Sequence, residues 1–177
     1  LPILIVSGKK DAVLIDTQFT LADAEKVAQE IKKSGKKLTT IFVSHGDPDF
    51  YFGLEVFKKY FPEVTAYATP ATIEHIKATA QKKLDVWGER LGKNITSNVI
   101  LPQVLKGNSI ELEGHHLEIV GLQEFPSQTF VWIPSIKAVV GGINVFGTTF
   151  HLWMADAQTT EARKNWISVL DKITALN

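Results

Sequence analysis

Ser44-His45-Gly46-Asp47-Pro48-Asp49-Phe50-Tyr51-Phe52-Gly53 sets one imidazole and two carboxylates within five residues, directly after the hydrophobic run Thr40-Ile41-Phe42-Val43. A short β-branched and aromatic run fits a buried strand, and loops at strand ends are where an α/β scaffold carries its reactive groups. In an extended loop, the side chains of 45, 47 and 49 project to one side. Pro48 fixes its own φ and biases Asp47 towards extended geometry, which supports that arrangement. One neutral nitrogen and two anionic oxygens balance a divalent ion, and the mixed set suits zinc, manganese or iron. The same residues also spell an ordinary helix start, with Asp47 as N-cap, Pro48 at N1 and Asp49 favoured by the helix dipole. Spacing alone leaves both readings open.

Upstream, Ile3 to Val6 and Ala12 to Ile15 are β-rich runs on either side of Ser7-Gly8-Lys9-Lys10, a hairpin pattern. Thr20 and Asp23 stand where a capping pair belongs, Ala24, Val27, Ala28 and Ile31 form an apolar helical stripe, and Gly35 can end it. Downstream, Leu54, Phe57 and Phe61 mark a short helix stopped by Pro62. Val64 to Ala68 reads as a strand. Thr69 and Pro70 open a long helix whose stripe is Ile73, Ile76, Ala80, Leu84, Trp87 and Leu91. From Asn98 the texture turns to β, with candidate strands at 98–101, 109–112, 116–122, 129–133 and 137–141 and turns at Gly114-His115 and Pro134-Ser135. A last helix from Thr159 or Thr160 is expected to bury Ala162, Trp166, Leu170 and Ile173.

The 177 residues are 45% hydrophobic and 21% charged, with 19 basic and 19 acidic side chains, which fits one soluble domain over 1–177 and argues against disorder. A zero net charge removes the field that nucleic-acid and anionic-membrane binders usually carry. Lysine doublets, Lys82-Lys83 among them, read as solvated faces. With no cysteine there is no disulfide frame, thiolate zinc knot or cysteine nucleophile. No apolar run approaches the roughly 18 to 20 residues of a membrane span. The opening Leu1-Pro2-Ile3-Leu4-Ile5-Val6 is already strand-like, has no signal-peptide form and reads as a processed or trimmed terminus. Compartment and oligomeric state stay open.

Taken together, Ala12-Val13-Leu14-Ile15-Asp16-Thr17, a helix, the strand 39–44, His45-Gly46-Asp47-Pro48-Asp49 with Tyr51-Phe52-Gly53, then Trp132-Ile133-Pro134-Ser135 and Ala138-Val139-Val140-Gly141-Gly142 resemble the metallo-β-lactamase fold superfamily. The resemblance implies an α/β fold, an αββα sandwich truncated at one or both ends. It also implies a hydrolase ancestry and a small-molecule substrate or ligand, with no nucleic acid or membrane partner. The family pattern is His-x-His-x-Asp-His. Here His45 holds the first histidine place and Asp49 the aspartate place, while Asp47 and Phe50 replace the second and last histidines. Gly142 stands at the place of the metal-bridging aspartate, and Gly121-Leu122-Gln123-Glu124-Phe125 offers no further histidine. The resemblance therefore implies that a dinuclear centre is lost and that at most one divalent metal (zinc, manganese or iron) is held, by His45, Asp47 and Asp49. Asp49 is the candidate catalytic residue, as ligand or base. Asp16 is placed to brace the loop.

Two functions follow. One is a hydrolase with a remodelled, at most one-metal site for an ester, lactone, thioester or amide. The other is a non-catalytic relative that binds a small ligand in the same cleft, beside Phe50, Tyr51 and Phe52. His115 and His116 read as turn and strand residues. His151 reads as either a site neighbour or a half-buried loop residue. Trp87, Trp132, Trp153 and Trp166 read as core.

Overall fold

The computed structural model describes residues 3–147, 151–155 and 157–176. The expectations that touch Leu1, Pro2, Phe150 and Asn177 lie outside the described residues.

The opening hairpin forms as β1 (Leu4–Ser7) and β2 (Asp11–Ile15), antiparallel, with Leu4 opposite Ile15. Its turn is tied down from afar: Glu113 accepts backbone N–H bonds from Lys9, Lys10 and Asp11 at 2.7, 2.6 and 2.7 Å. Those three amides hold its carboxyl down at a pKa of about 2. Helix α1 (Leu21–Ser34) follows, capped by Thr20, whose hydroxyl accepts from Asp23 N and donates to Asp23 Oδ2. Asp23 answers through the threonine hydroxyl, a variant on the usual reciprocal bond of a longer Glu or Gln to the cap's backbone N–H. Gly35, at φ 69°, closes the helix in the left-handed region.

Strand β3 (Lys37–Val43) pairs in parallel with β2, and its register slips between Ala12 and Val13, where Thr39 is the extra residue. That bulge resets the alternation, so Leu38, Ile41 and Val43 share one face while Phe42 takes the other. Short helices α2 (Pro48–Tyr51) and α3 (Leu54–Tyr60) lead to β4 (Thr65–Ala68), and α4 (Pro70–Leu91) follows. The first sheet is completed by β5 (Gln103–Val104), giving the order β1-β2-β3-β4-β5. The second sheet is an antiparallel meander of β6 (Ser109–Leu112), β7 (His115–Val120), β8 (Phe130–Ile133) and β9 (Ala138–Val140). Helix α5 (Thr160–Thr174) ends the described fold.

Alternation along the strands explains the layers. Ala12 and Leu14 face α1, α3 and α4, whereas Val13, Ile15 and Phe42 meet Ile110, Leu117, Ile119, Val131 and Ile133 between the sheets. On the far side, Phe130 and Trp132 pack against Val169 of α5. The order helix, sheet, sheet, helix is thus an αββα sandwich.

Three expectations are corrected. Residues 98–101 form no strand: Thr96, Ser97 and Asn98 turn their donors onto the Glu55 carboxylate, and Pro102 follows. In α5 Val169 is buried beside Trp166, while Leu170 is 38% exposed, because Trp166 and Val169 together set the inward stripe. Trp153 is 61% exposed and lies outside the core. Among the described residues, no helix is long and apolar enough to cross a membrane.

Candidate functional site

Parallel pairing of β2, β3 and β4 brings Asp16, His45 and Thr69 to one edge, just beyond the carboxyl ends of the strands. Sites in α/β sheets collect at such edges. Asp16 is left-handed at φ 66° and fully enclosed, accepting from Ser44 N at 2.8 Å and from Ser44 Oγ at 3.0 and 2.8 Å. Burial outweighs those two bonds and pushes its carboxyl up to about 7. Ser44 Oγ in turn accepts from Gly142 N at 2.7 Å. One buried carboxylate therefore links β2, the start of the His45 loop and the turn after β9, the bracing role expected of Asp16.

The loop resolves the choice between extended chain and helix start partly in favour of each. Asp47 is extended at φ −85° and ψ 155°, as a residue before proline should be. Pro48 then opens α2, so Asp49 lies in its first turn. Asp47 makes no capping bond with its side chain. Its Oδ1 instead accepts from Lys83 Nζ at 2.8 Å, its Oδ2 lies 3.6 Å from His45 Nδ1, and His75 Nε2 is 3.8 Å from Oδ1. Burial raises the Asp47 carboxyl, but the Lys83 hydrogen bond, with the charges of His45 and Lys83, brings it below the ordinary value. Asp49 goes the other way: half-burial, with the Asp47 charge added, raises it. Tyr51 is buried beneath, and its hydroxyl has no hydrogen-bond partner among the described residues. Burial and the Asp47 charge raise that phenol as well.

His75 and Lys83 are the residues that the loop sequence did not reveal. Both lie on α4, eight residues or about two turns apart. Gly46 admits the His75 ring, since a β-carbon there would stand 2.6 Å from Cδ2. Lys83 was expected on a solvated face, yet its side chain is only 17% exposed. The available signal was a histidine and a lysine on one helix whose N-terminus starts beside the loop.

Two positions decide what the site can hold. Phe50 is buried with its ring edge-on to His45, centroids 5.2 Å apart. Gly142 sits at φ +70°, and a β-carbon there would stand 2.5 Å from Thr129 O, so an aspartate cannot adopt this backbone without displacing β8's approach. Neither the Phe50 side chain nor Gly142 supplies a metal donor. Among the described residues no group of three His, Cys, Asp or Glu side chains is arranged to hold a metal. His115 and His116 are exposed on β7, and His151 is exposed, not half-buried. A groove of about 350 Å³ between β5 and β6, lined by Thr40, Tyr67, Val104 and Glu111, lies apart from all of these groups.

Known structures share this architecture. A metallo-β-lactamase from Pontibacter korlensis superposes with a TM-score of 0.70 at 20% identity, covering 97% of this chain and 74% of that one. DIM-1 metallo-β-lactamase gives 0.67 at 19% identity, over 98% and 74%, and TMB-1 gives 0.65 at 21%, over 98% and 73%. At such identities the likeness is one of fold, a metallo-β-lactamase sandwich. No curated protein matches the sequence. The family model of the metallo-β-lactamase superfamily matches residues 2–132, and the chain belongs to that superfamily.

Proposed function

We propose that the chain retains the family's cleft for a small molecule carrying an ester, lactone, thioester or amide group, and engages it as a metal-independent binding site at His45, Asp47 and Asp49. One observation carries this reading: the Asp47 carboxylate is already neutralised by the Lys83 ammonium at 2.8 Å. Two partly buried charges so paired resist separation, because removing either partner leaves the other uncompensated. Phe50, buried edge-on against His45, and the half-buried Asp49 carboxyl set an apolar and a polar group side by side at this edge, the mix that small-ligand sites use.

A second reading, a one-metal hydrolase held by His45, Asp47 and Asp49 with Asp49 as base, is favoured by the raised Asp49 carboxyl. Melting curves with small esters, lactones, thioesters and amides separate the two. A ligand that raises the melting temperature equally in chelator-treated and zinc-supplemented protein, without turnover, is the expected outcome. Hydrolysis abolished by chelator and restored by zinc contradicts it.

A further inference from the structure

The contacts of Lys83 amount to more than an ion pair. An alkylammonium has three N–H donors and no acceptor. Its Nζ lies 2.8 Å from Gly46 O, 2.8 Å from Asp47 Oδ1 and 3.1 Å from His75 Nε2. Each donor has one acceptor, drawn in turn from the loop backbone, the loop carboxylate and the ring on α4. Because the ammonium can only donate, His75 must accept through Nε2 and carry its proton on Nδ1. His45 stands on the other side of Asp47, its ring centroid 6.0 Å from that of His75. A carboxylate oxygen, a carbonyl oxygen and an imidazole nitrogen converging on one point form a donor set that borderline divalent cations accept.

We propose that Lys83 is the resident cation of this site, its ammonium filling the point where Gly46 O, Asp47 and His75 converge and closing that point to divalent metal ions. The inference rests on the metal-independent reading above and adds the residue that supplies the positive charge. It makes metal competence latent: without the lysine side chain, Gly46 O, Asp47 Oδ1 and His75 Nε2 surround an open position with an unbalanced negative charge.

Cobalt(II) titration of the wild type, Lys83→Ala and the double variant Lys83→Ala/His75→Ala tests this, with circular dichroism as the check on folding. Lys83→Ala is expected to gain a ligand-field absorption band that saturates at one ion per chain, with affinity at least roughly tenfold above the wild type. The double variant is expected to lose that gain. A folded Lys83→Ala protein that binds cobalt no better than wild type overturns the proposal, and so does a gain that survives loss of His75.

If Lys83→Ala does not fold, reductive methylation of the native chain decides. Lys26 and Lys77, with side chains 75% and 51% exposed, should be labelled well before Lys83, and Asp47→Asn should remove the protection. Labelling of Lys83 at the rate of Lys26 overturns the proposal. Failure of the metal-independent reading gives a different signal: ligand binding by the wild type that disappears on chelation, whatever Lys83 does in the titration.

Discussion

Asp16 concentrates the strain of the site in one residue. It holds φ at 66°, and Gln18 two residues on holds 83°, conformations that cost about 1 to 3 kcal/mol each in non-glycine residues. What retains Asp16 is the bond network through Ser44 to Gly142, while Gln18 O accepts from Gly53 N at 3.1 Å. The folded-state carboxyl is raised to about 7 from 3.8, so the folded protein binds that proton more tightly than the unfolded chain. Its contribution to stability is therefore complete below about pH 3.8 and lost as pH rises through about 7. Asp16→Asn keeps a neutral, hydrogen-bonding side chain suited to positive φ. Urea unfolding from pH 5 to 8.5 should show the wild type losing ground to the variant, by an amount on the order of a few kcal/mol. A difference that does not change with pH contradicts the buried-carboxyl description. At this same scale the loop's composition made His45, Asp47 and Asp49 legible as candidates, and the Asp-Pro step gave both the extended Asp47 and the helix after it. Lys83 and His75 were not legible there, because their partner in sequence terms lies 36 and 28 residues away and only α4's direction brings them back.

Elements show where local pattern suffices and where it does not. Helices α1, α4 and α5 each start on a threonine that accepts from the third residue along, and all three starts could be read from the chain. Residues 98–101 carry a strand-like composition, but a carboxylate on α3 takes the amides of Ser97 and Asn98 where the stretch begins, and Pro102 follows it. Helix α5 depends on few contacts: Trp166 and Val169 are its buried residues, and the Trp166 indole donates to Asn144 O at 2.8 Å. Trp166→Ala should cost roughly 3 to 5 kcal/mol and release α5 before the sheets. Hydrogen exchange checks this. Early exchange across residues 160–174 with β2 and β3 still protected is the expected pattern, and uniform loss of protection contradicts it.

For the molecule as a whole, the inter-sheet layer of Val13, Ile15, Phe42, Ile119, Val131 and Ile133 fixes the two sheets, and with them the edge on which the site stands. The helical layers then supply the chemistry unevenly. Loop and α2 give Asp47 and Asp49, α4 gives Lys83, and the turn after β9 gives the Gly142 amide. The family scaffold is retained, and on the proposed reading an ammonium–carboxylate pair of the chain's own stands where a metal ion would bind. Anomalous diffraction at the zinc edge, from crystals grown in excess zinc, measures this directly. We expect no anomalous peak beside Asp47, and Lys83 Nζ in hydrogen-bond contact with it. Two adjacent peaks there, or one peak with Lys83 turned out to solvent, would contradict it.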